Sequence, residues 1–345
     1  MADIPSLEQM ELFLGGKDGY HTYRIPALLV TKQGTVLAFC EGRKNSASDW
    51  GDIDLVLKRS TDGGQTWSDM QMIADDGDHT IGQPCPVLDE RTGTIWLPLC
   101  CDNQRVFLMK STDDGRTWSE PAEITNEVMD PTWPWIGTGP GHGIQLTKGR
   151  LVIPCWAGRG VGFGGQFQVS FILYSDDGGK TWQRSSALDH DASDECEVVE
   201  LVDGSLYMNM RSRQEKKQRA YSFSRDGGQT WSTVKFDARL PEPSCQGSII
   251  RFTRTPQFHR NRILLACPAS LDARDHLTVR VTYDECGSWP VSKVLYSGPA
   301  GYSDLAVTND GQVFCLFEAD NCKRLVLARF NIEWLTDGKD SLAQK

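Results

Sequence analysis

The chain has 345 residues, and 36 Lys and Arg against 46 Asp and Glu give it a net charge of -10. That balance argues against the basic stripe of a nucleic-acid binder, and no apolar run approaches the roughly 18 residues of a membrane span. With 39% hydrophobic residues, 33 Gly and 11 Trp, the composition favours a globular chain of short strands and many turns.

The N-terminal stretch MADIPSLEQMELFLGG has no basic segment and no long apolar one, so no secretory signal is read there. The 11 cysteines are odd in number, with no C-x-x-C pair and no zinc-type spacing. Free thiols in a reducing, cytoplasmic compartment are the expectation.

Tyr23-Arg24-Ile25-Pro26 comes next, then the turn Lys32-Gln33-Gly34-Thr35, a polar loop from Lys44 to Asp52, and the octapeptide STDGGQTW from Ser60 to Trp67. Turn and octapeptide then alternate. Turns recur at Arg91 to Thr94, Thr147 to Arg150, Val202 to Ser205, His259 to Arg262 and Asn309 to Gln312. Octapeptides recur at Ser111 to Trp118, Ser175 to Trp182 and Ser224 to Trp231, with a worn copy from Thr282 to Trp289. The aspartates Asp62, Asp113, Asp177, Asp226 and Asp284 stand roughly 50–60 residues apart, the length of a four-stranded propeller blade.

The repeat has its own physics. The Asp can accept N–H bonds within its turn, Gly supplies positive φ, and Trp buries area between neighbouring units. It therefore reads as a hairpin staple rather than as five carboxylate sites. Six turns imply six units. The expected fold is an all-β, six-bladed propeller, one domain over 1–345 with a core of about 11–335. Either Arg324 to Phe330 or an N-terminal strand closes the ring, and a polar tail over 338–345 frays.

Antiparallel connection sorts the loops. With strands a to d counted outward, the Gly turns (a–b) and octapeptides (c–d) share one face. The b–c loops and the starts of strand a share the other, where a ligand of the central channel sits. Arg24, Arg43, Asp49, Glu195, Arg211, Arg274 and Tyr302 all fall on this second face.

These motifs resemble the exo-sialidases of the bacterial and animal cytosolic type, over about residues 11–335. The marks are Tyr23-Arg24-Ile25-Pro26, the Asp boxes, Gly139-Pro140-Gly141-His142-Gly143, Cys245-Gln246-Gly247-Ser248 and Tyr302-Ser303-Asp304-Leu305. The resemblance implies a retaining exo-α-sialidase acting on sialylated glycoconjugates or free sialosides, without a cofactor. It implies a triad of Arg24, Arg211 and Arg274 for the substrate carboxylate, since guanidinium binds carboxylate through paired, charge-assisted bonds. Arg43 is an auxiliary ligand in this scheme. Arg280 rivals Arg274 but lies in a strand.

Tyr302 maps to the nucleophile, because a neutral phenol avoids the repulsion a carboxylate would meet at an anionic sugar. Glu195 maps to its base, with Glu200 as a rival in the following strand. Asp49 maps to the acid/base that protonates the leaving oxygen and then activates water. Asp52 and Asp54 are its rivals. Gln83 and Trp156 map to further substrate contacts, although Gln83 stands where many relatives carry Asn and no aromatic partner stands at Gly158. Trans-sialidases share the pattern. A non-catalytic glycan-binding propeller would lack one of Asp49, Glu195 and Tyr302, and all three are present.

Gly160 opens a G-x-G-x-x-G pattern, but a strand follows where a dinucleotide site needs a helix. The stretch Gly158 to Gly165 is expected to form a mobile lid. His142 reads as a structural histidine, and Cys100 and Cys101 as buried thiols. No H-E-x-x-H, P-loop or EF-hand pattern occurs, so no metal site is read.

Overall fold

The computed structural model describes residues 4–160, 167–188, 193–213 and 216–342. After the N-terminal strand β1 (Leu7–Leu14), the strands β2 (Thr22–Val30), β3 (Val36–Arg43), β4 (Ile53–Ser60) and β5 (Gln71–Ala74) form one antiparallel sheet in that order. In the second sheet, β6 (Ile81–Gly82) and β7 (Val87–Asp89) are two pieces of one inner edge on β8 (Thr94–Cys101), followed by β9 (Arg105–Ser111) and β10 (Ala122–Glu123). The short helix α1 (Thr125–Val128) leads to the third. There β11 (Trp135–Thr138) and β12 (Ile144–Gln145) share an edge of β13 (Leu151–Arg159), and β14 (Phe167–Ser175) and β15 (Gln183–Arg184) lie outside it.

The fourth sheet runs β16 (Ser193–Glu200), β17 (Leu206–Ser212), β18 (Gln218–Ser224) and β19 (Lys235–Pro241). The fifth has seven strands: β20 (Ser248–Thr253), β21 (Arg262–Pro268), β22 (Asp275–Thr282), β23 (Val291–Val307), β24 (Val313–Ala319), β25 (Arg324–Phe330) and, returning from the N-terminus, β1. A last short helix, α2 (Ile332–Leu335), follows. The fold is all-β. The sheets also meet in a circuit. The first packs on β6, β7 on β12, β13 on β16, β16 on β20, β20 on β23, and β23 on β2.

β23 has two characters. Up to Pro299 it pairs with β22 as an outer strand with alternating exposure. From Ala300 it pairs with β24 as a buried inner strand. The middle strands are apolar on both faces because each sheet is covered on both sides. In β3, Val36, Ala38 and Cys40 pack with Phe314 and Leu316. The alternate residues Leu37 and Phe39 pack with Ile95, Leu97 and Leu99 of the second sheet.

The octapeptides are the hairpins that end the third strands. Asp62 accepts from Thr66 N at 2.9 Å and Thr66 Oγ1 at 2.6 Å, while Gly64 N donates to Ser60 Oγ at 2.9 Å. Gly64 has φ +80°, and a Cβ there would meet the Phe314 ring at 2.6 Å. Glycine is required on both counts. The backbone N–H and hydroxyl of Thr181 lead the donors that hold the Asp177 carboxyl down to about 2. All five aspartates are engaged this way within their own turns, which is the staple role the sequence indicates.

Residues 338–342 depart from the expectation of a frayed tail. Asp340 is buried and accepts from Arg262 Nη2 at 2.6 Å and Nε at 2.7 Å. Leu342 packs against the last hydrophobic cluster. The reason is charge: Arg262 is wholly buried, and a guanidinium taken out of water needs a counter-ion. The ordered fold also starts before the expected core, at β1. All 11 cysteines are free thiols, buried except for the half-buried Cys322. No helix among the described residues is long and apolar enough to cross a membrane. Asp340→Ala is expected to cost about 3–5 kcal/mol in denaturant unfolding. A loss below about 1 kcal/mol would restore the frayed tail.

Candidate active site

Three inner strands carry a break in register at the level where the site forms. On β2 it falls between Arg24 and Ala27, on β16 between Ser193 and Cys196, and on β23 between Ala300 and Ser303. A bulge re-aims side chains out of the pleat, and these bulges present Arg24, Glu195 and Tyr302. The second inner edge is interrupted between β6 and β7, and Gln83 stands there with φ 58°. Ile25 (φ 57°) and Ser244 (φ 56°) share that left-handed conformation. For β-branched Ile25 it is a strained state held by the surroundings.

Arg24, Arg43, Asp49, Gln83, Trp156, Glu195, Arg211, Arg274 and Tyr302 all line one cavity of about 460 Å³. Arg43 and Arg211 come from the ends of β3 and β17. Asp49 comes from the loop after β3, and Arg274 from the loop after β21. Five arginines face three carboxylates on its wall, so arginine outnumbers carboxylate there although the chain is acidic.

At its floor, Tyr302 Oη donates to Glu195 Oε1. Arg211 Nη1 donates to Glu195 Oε2 at 2.8 Å and to Tyr302 Oη at 2.9 Å. The guanidinium carbons of Arg24 and Arg274 lie 5.2 Å and 5.5 Å from the centroid of the Tyr302 ring. Burial pushes the Tyr302 phenol up, and Glu195 adds to that, against Arg211 and Arg24. Burial also raises Glu195, opposed first by Arg211. The phenol therefore keeps its proton in the free site, on a hydrogen bond to the Glu195 carboxyl group.

Asp49 differs. Burial raises its carboxyl, but Arg43 and Arg24 outweigh that and leave it lowered. Its side chain is 66% exposed, so solvent screens both pairs. Arg43 was expected to bind a ligand's carboxylate. Here its guanidinium is turned onto the protein: Glu41 Oε2 at 2.7 Å, Ala47 O at 2.8 Å, Ser48 O at 3.0 Å and Asp49 Oδ1 at 2.7 Å.

The rivals lie elsewhere. Glu200 accepts from Thr147 Oγ1 at 2.7 Å and lines a separate cavity. Arg280 is buried against Cys267 Sγ. Asp52 and Asp54 flank the Lys44 ammonium at 2.8 and 3.1 Å. His142 is buried with Nδ1 2.7 Å from Asp304 Oδ1. Among the described residues three groups of His, Cys, Asp and Glu stand close enough to share a cation, and none includes any of the nine. Most of the expected lid, residues 161–165, lies outside the described residues.

Sequence reasoning missed several neighbours. Glu318 accepts from Arg24 Nε at 2.9 Å and from the amides of Ile25 and Tyr302, each at 3.1 Å. Burial raises its carboxyl, and Arg24 with the amides of Ile25 and Tyr302 more than offsets this. Trp135 lies 3.8 Å from Trp156, ring to ring, and is the aromatic partner not found at Gly158. Trp50, Asn103, Gln168 and Arg213 also line the cavity, with Ile25 and Glu41. Only the Trp-rich run Asp130 to Trp135 offered a signal, for Trp135.

The BNR repeat-like domain family matches residues 34–315. A sialidase of Micromonospora viridifaciens is 33% identical over 361 residues, covering 96% of this chain and 55% of that protein. The chain thus spans about half the length of that relative. An exo-alpha-sialidase of Aspergillus fumigatus is 30% identical over 375 residues, covering 94% of this chain and 87% of the other. Among solved structures, a Hadza microbial sialidase is similar with a TM-score of 0.87 and 29% identity, over 95% of this chain and 69% of that one.

Glu318→Ala would strand a mostly buried guanidinium and two backbone amides. It is expected to cost about 3–5 kcal/mol in denaturant unfolding, with Glu318→Gln less damaging because its carbonyl still accepts. Equal, small losses in both would show that Arg24 does not depend on this carboxylate.

Proposed function

The chain belongs to the sialidase family of glycoside hydrolases, and we propose that it is a retaining exo-α-sialidase that removes terminal sialic acids through Tyr302. Sialylated glycoconjugates and simpler sialosides are its substrates. The same proposal takes the five sheets as six blades in one domain. The seven-stranded sheet is then two blades sharing β23, with β1 closing the ring as the outer strand of the last.

The observation that carries the proposal is Tyr302 hydrogen-bonded to Glu195, with Arg211 on both and Arg24 and Arg274 beside its ring. Sialic acid bears its carboxylate on the carbon that reacts. Arg24, Arg211 and Arg274 bind that carboxylate, which sets the anomeric carbon over Tyr302. Glu195 takes the phenolic proton as Tyr302 attacks. Asp49, protonated, gives its proton to the leaving oxygen. In the second step Asp49 takes a proton from water, whose oxygen displaces Tyr302 and restores the starting configuration, while Glu195 returns its proton to the departing phenolate. The arginines' field stabilises the phenolate while it forms. Gln83 and the Trp135–Trp156 pair face the rest of the sugar.

Release of fluorophore from an aryl sialoside tests this. Tyr302→Phe is expected to lower kcat/KM by about 10²–10⁴-fold. Asp49→Ala should lose more on a sialyl-lactose than on the aryl substrate, because an aryloxide leaves without needing a proton. Full activity in both variants would overturn the mechanism. On the aryl substrate kcat/KM is expected to fall as pH drops through the raised Glu195 value, above the ordinary 4.5. Below it Glu195 is protonated and cannot accept from Tyr302. This limb should vanish in Glu195→Gln, and a wild-type profile in that variant would remove Glu195 from the role of base.

A further inference from the structure

One oxygen of Asp49 is shared between two arginines. Oδ1 accepts from Arg24 Nη1 at 3.0 Å and from Arg43 Nη1 at 2.7 Å. The two partners differ in what else holds them. Arg43 is 3% exposed, and its remaining donors rest on Glu41 and on the carbonyls of Ala47 and Ser48, within the loop that carries Asp49. Arg24 is 13% exposed. Its Nε and Nη2 rest on Glu318 at 2.9 and 3.3 Å. Nη1, the remaining nitrogen, is held by Asp49.

Arg24 is therefore already occupied by an anion in the free site. That anion belongs to an exposed loop residue and not to the buried scaffold. A substrate carboxylate arriving at Arg24, Arg211 and Arg274 meets Asp49 on the same guanidinium edge. Two carboxylates sharing one donor repel each other.

We propose that Asp49 is a resident counter-ion of Arg24 which the substrate's carboxylate displaces, and that Arg43 is the positioning residue that keeps Asp49 at the rim for proton transfer. This rests on the sialidase reading above and adds an exchange of partners to it. The carboxylate of the ligand replaces that of Asp49 on Arg24, with no covalent bond made or broken. Arg24 from β2, Arg43 from β3 and Arg274 from the loop after β21 are the cations facing Asp49. Glu318 and Glu41 stand behind the first two. Losing Arg24 removes one of its nearest cations, so the displaced carboxyl takes up a proton more readily. Binding thereby prepares the acid that the first step needs.

The test is the affinity of the 2,3-unsaturated analogue of sialic acid, which is not hydrolysed, and of its methyl ester, by calorimetry. Asp49 is exposed, so Asp49→Asn is expected to fold with an unchanged melting midpoint. It is expected to bind the free acid about two- to fivefold more tightly than wild type, the range for release of one solvent-screened ion pair. The methyl ester should gain nothing. Binding of the acid by Asp49→Asn that is equal to or weaker than wild type would overturn the exchange. No preference for acid over ester in wild type would instead overturn the arginine-carboxylate reading beneath it. For Arg43→Lys, kcat/KM should fall on a sialyl-lactose and hold on the aryl sialoside, because only the first step, which kcat/KM reads, differs in its need for a proton. A rise in KM on both substrates would make Arg43 a substrate ligand and not a positioning residue.

Discussion

Guanidinium groups taken out of water have to find negative charge, and this requirement shapes the cavity and the strands around it. Arg24 rests on Glu318, Arg43 on Glu41, Arg211 on Glu195, and Arg213 on Asp194. Arg274 is held by the carbonyl of Ser244 at 3.1 Å, and the hydroxyl of the same residue accepts from Arg211 Nε at 3.4 Å. The carboxylates pair with four of the five arginines and also fix their rotamers. A ligand anion therefore meets a rigid arrangement of N–H groups, with little side-chain entropy left to lose on binding.

The same carboxylates do a second task. The bulges that present Arg24 and Tyr302 free backbone amides inside the protein, where an unpaired N–H is costly. Glu318 accepts from both of those amides, at Ile25 and Tyr302, while it holds Arg24. Buried acids on other strands reach to the next sheet in the same way. Asp304 accepts from Leu28 N at 2.7 Å, Glu41 from Gln83 N at 3.1 Å, and Glu197 from Ile249 N at 2.7 Å. Each bond crosses from one sheet to its neighbour. The lacing that joins the sheets and the pairing that holds the site are thus one network, and strain at Ile25, Gln83 and Ser244 is carried by it.

What could be read from the sequence follows from the distance over which each interaction acts. The Asp boxes and hairpin turns are local. Thr66 answers Asp62 four residues away, so their spacing displayed the strand count. Tyr302 and Glu195 are 107 residues apart and their contact has no local sign. They were found through the resemblance to a family. Glu318 lies 294 residues from Arg24 and belongs to a strand, VFCLFEA, that reads as plain core. The tail was misread for the same reason. Asp340 looks like a solvated residue until Arg262, 78 residues earlier, is seen buried against it. Long-range charge pairs leave no periodicity, and the residues missed here are mostly of that kind.

The split between the two ends of the proposed mechanism follows from where the chain puts them. Tyr302 and Glu195 start inner strands, are buried, and are both pushed up by that burial. Asp49 sits on a loop, open to water, and is held down by two cations. Environments that push titratable groups apart are how one site runs acid and base steps together. The base and nucleophile need an environment that does not change during the reaction, so rigid strands suit them. The acid has to hold a proton in one step and lose it in the next, so it needs a setting that changes. An exposed carboxylate whose partner charge an incoming anion can take over meets that need, and a carboxylate locked into the lacing, as Glu318 is, does not.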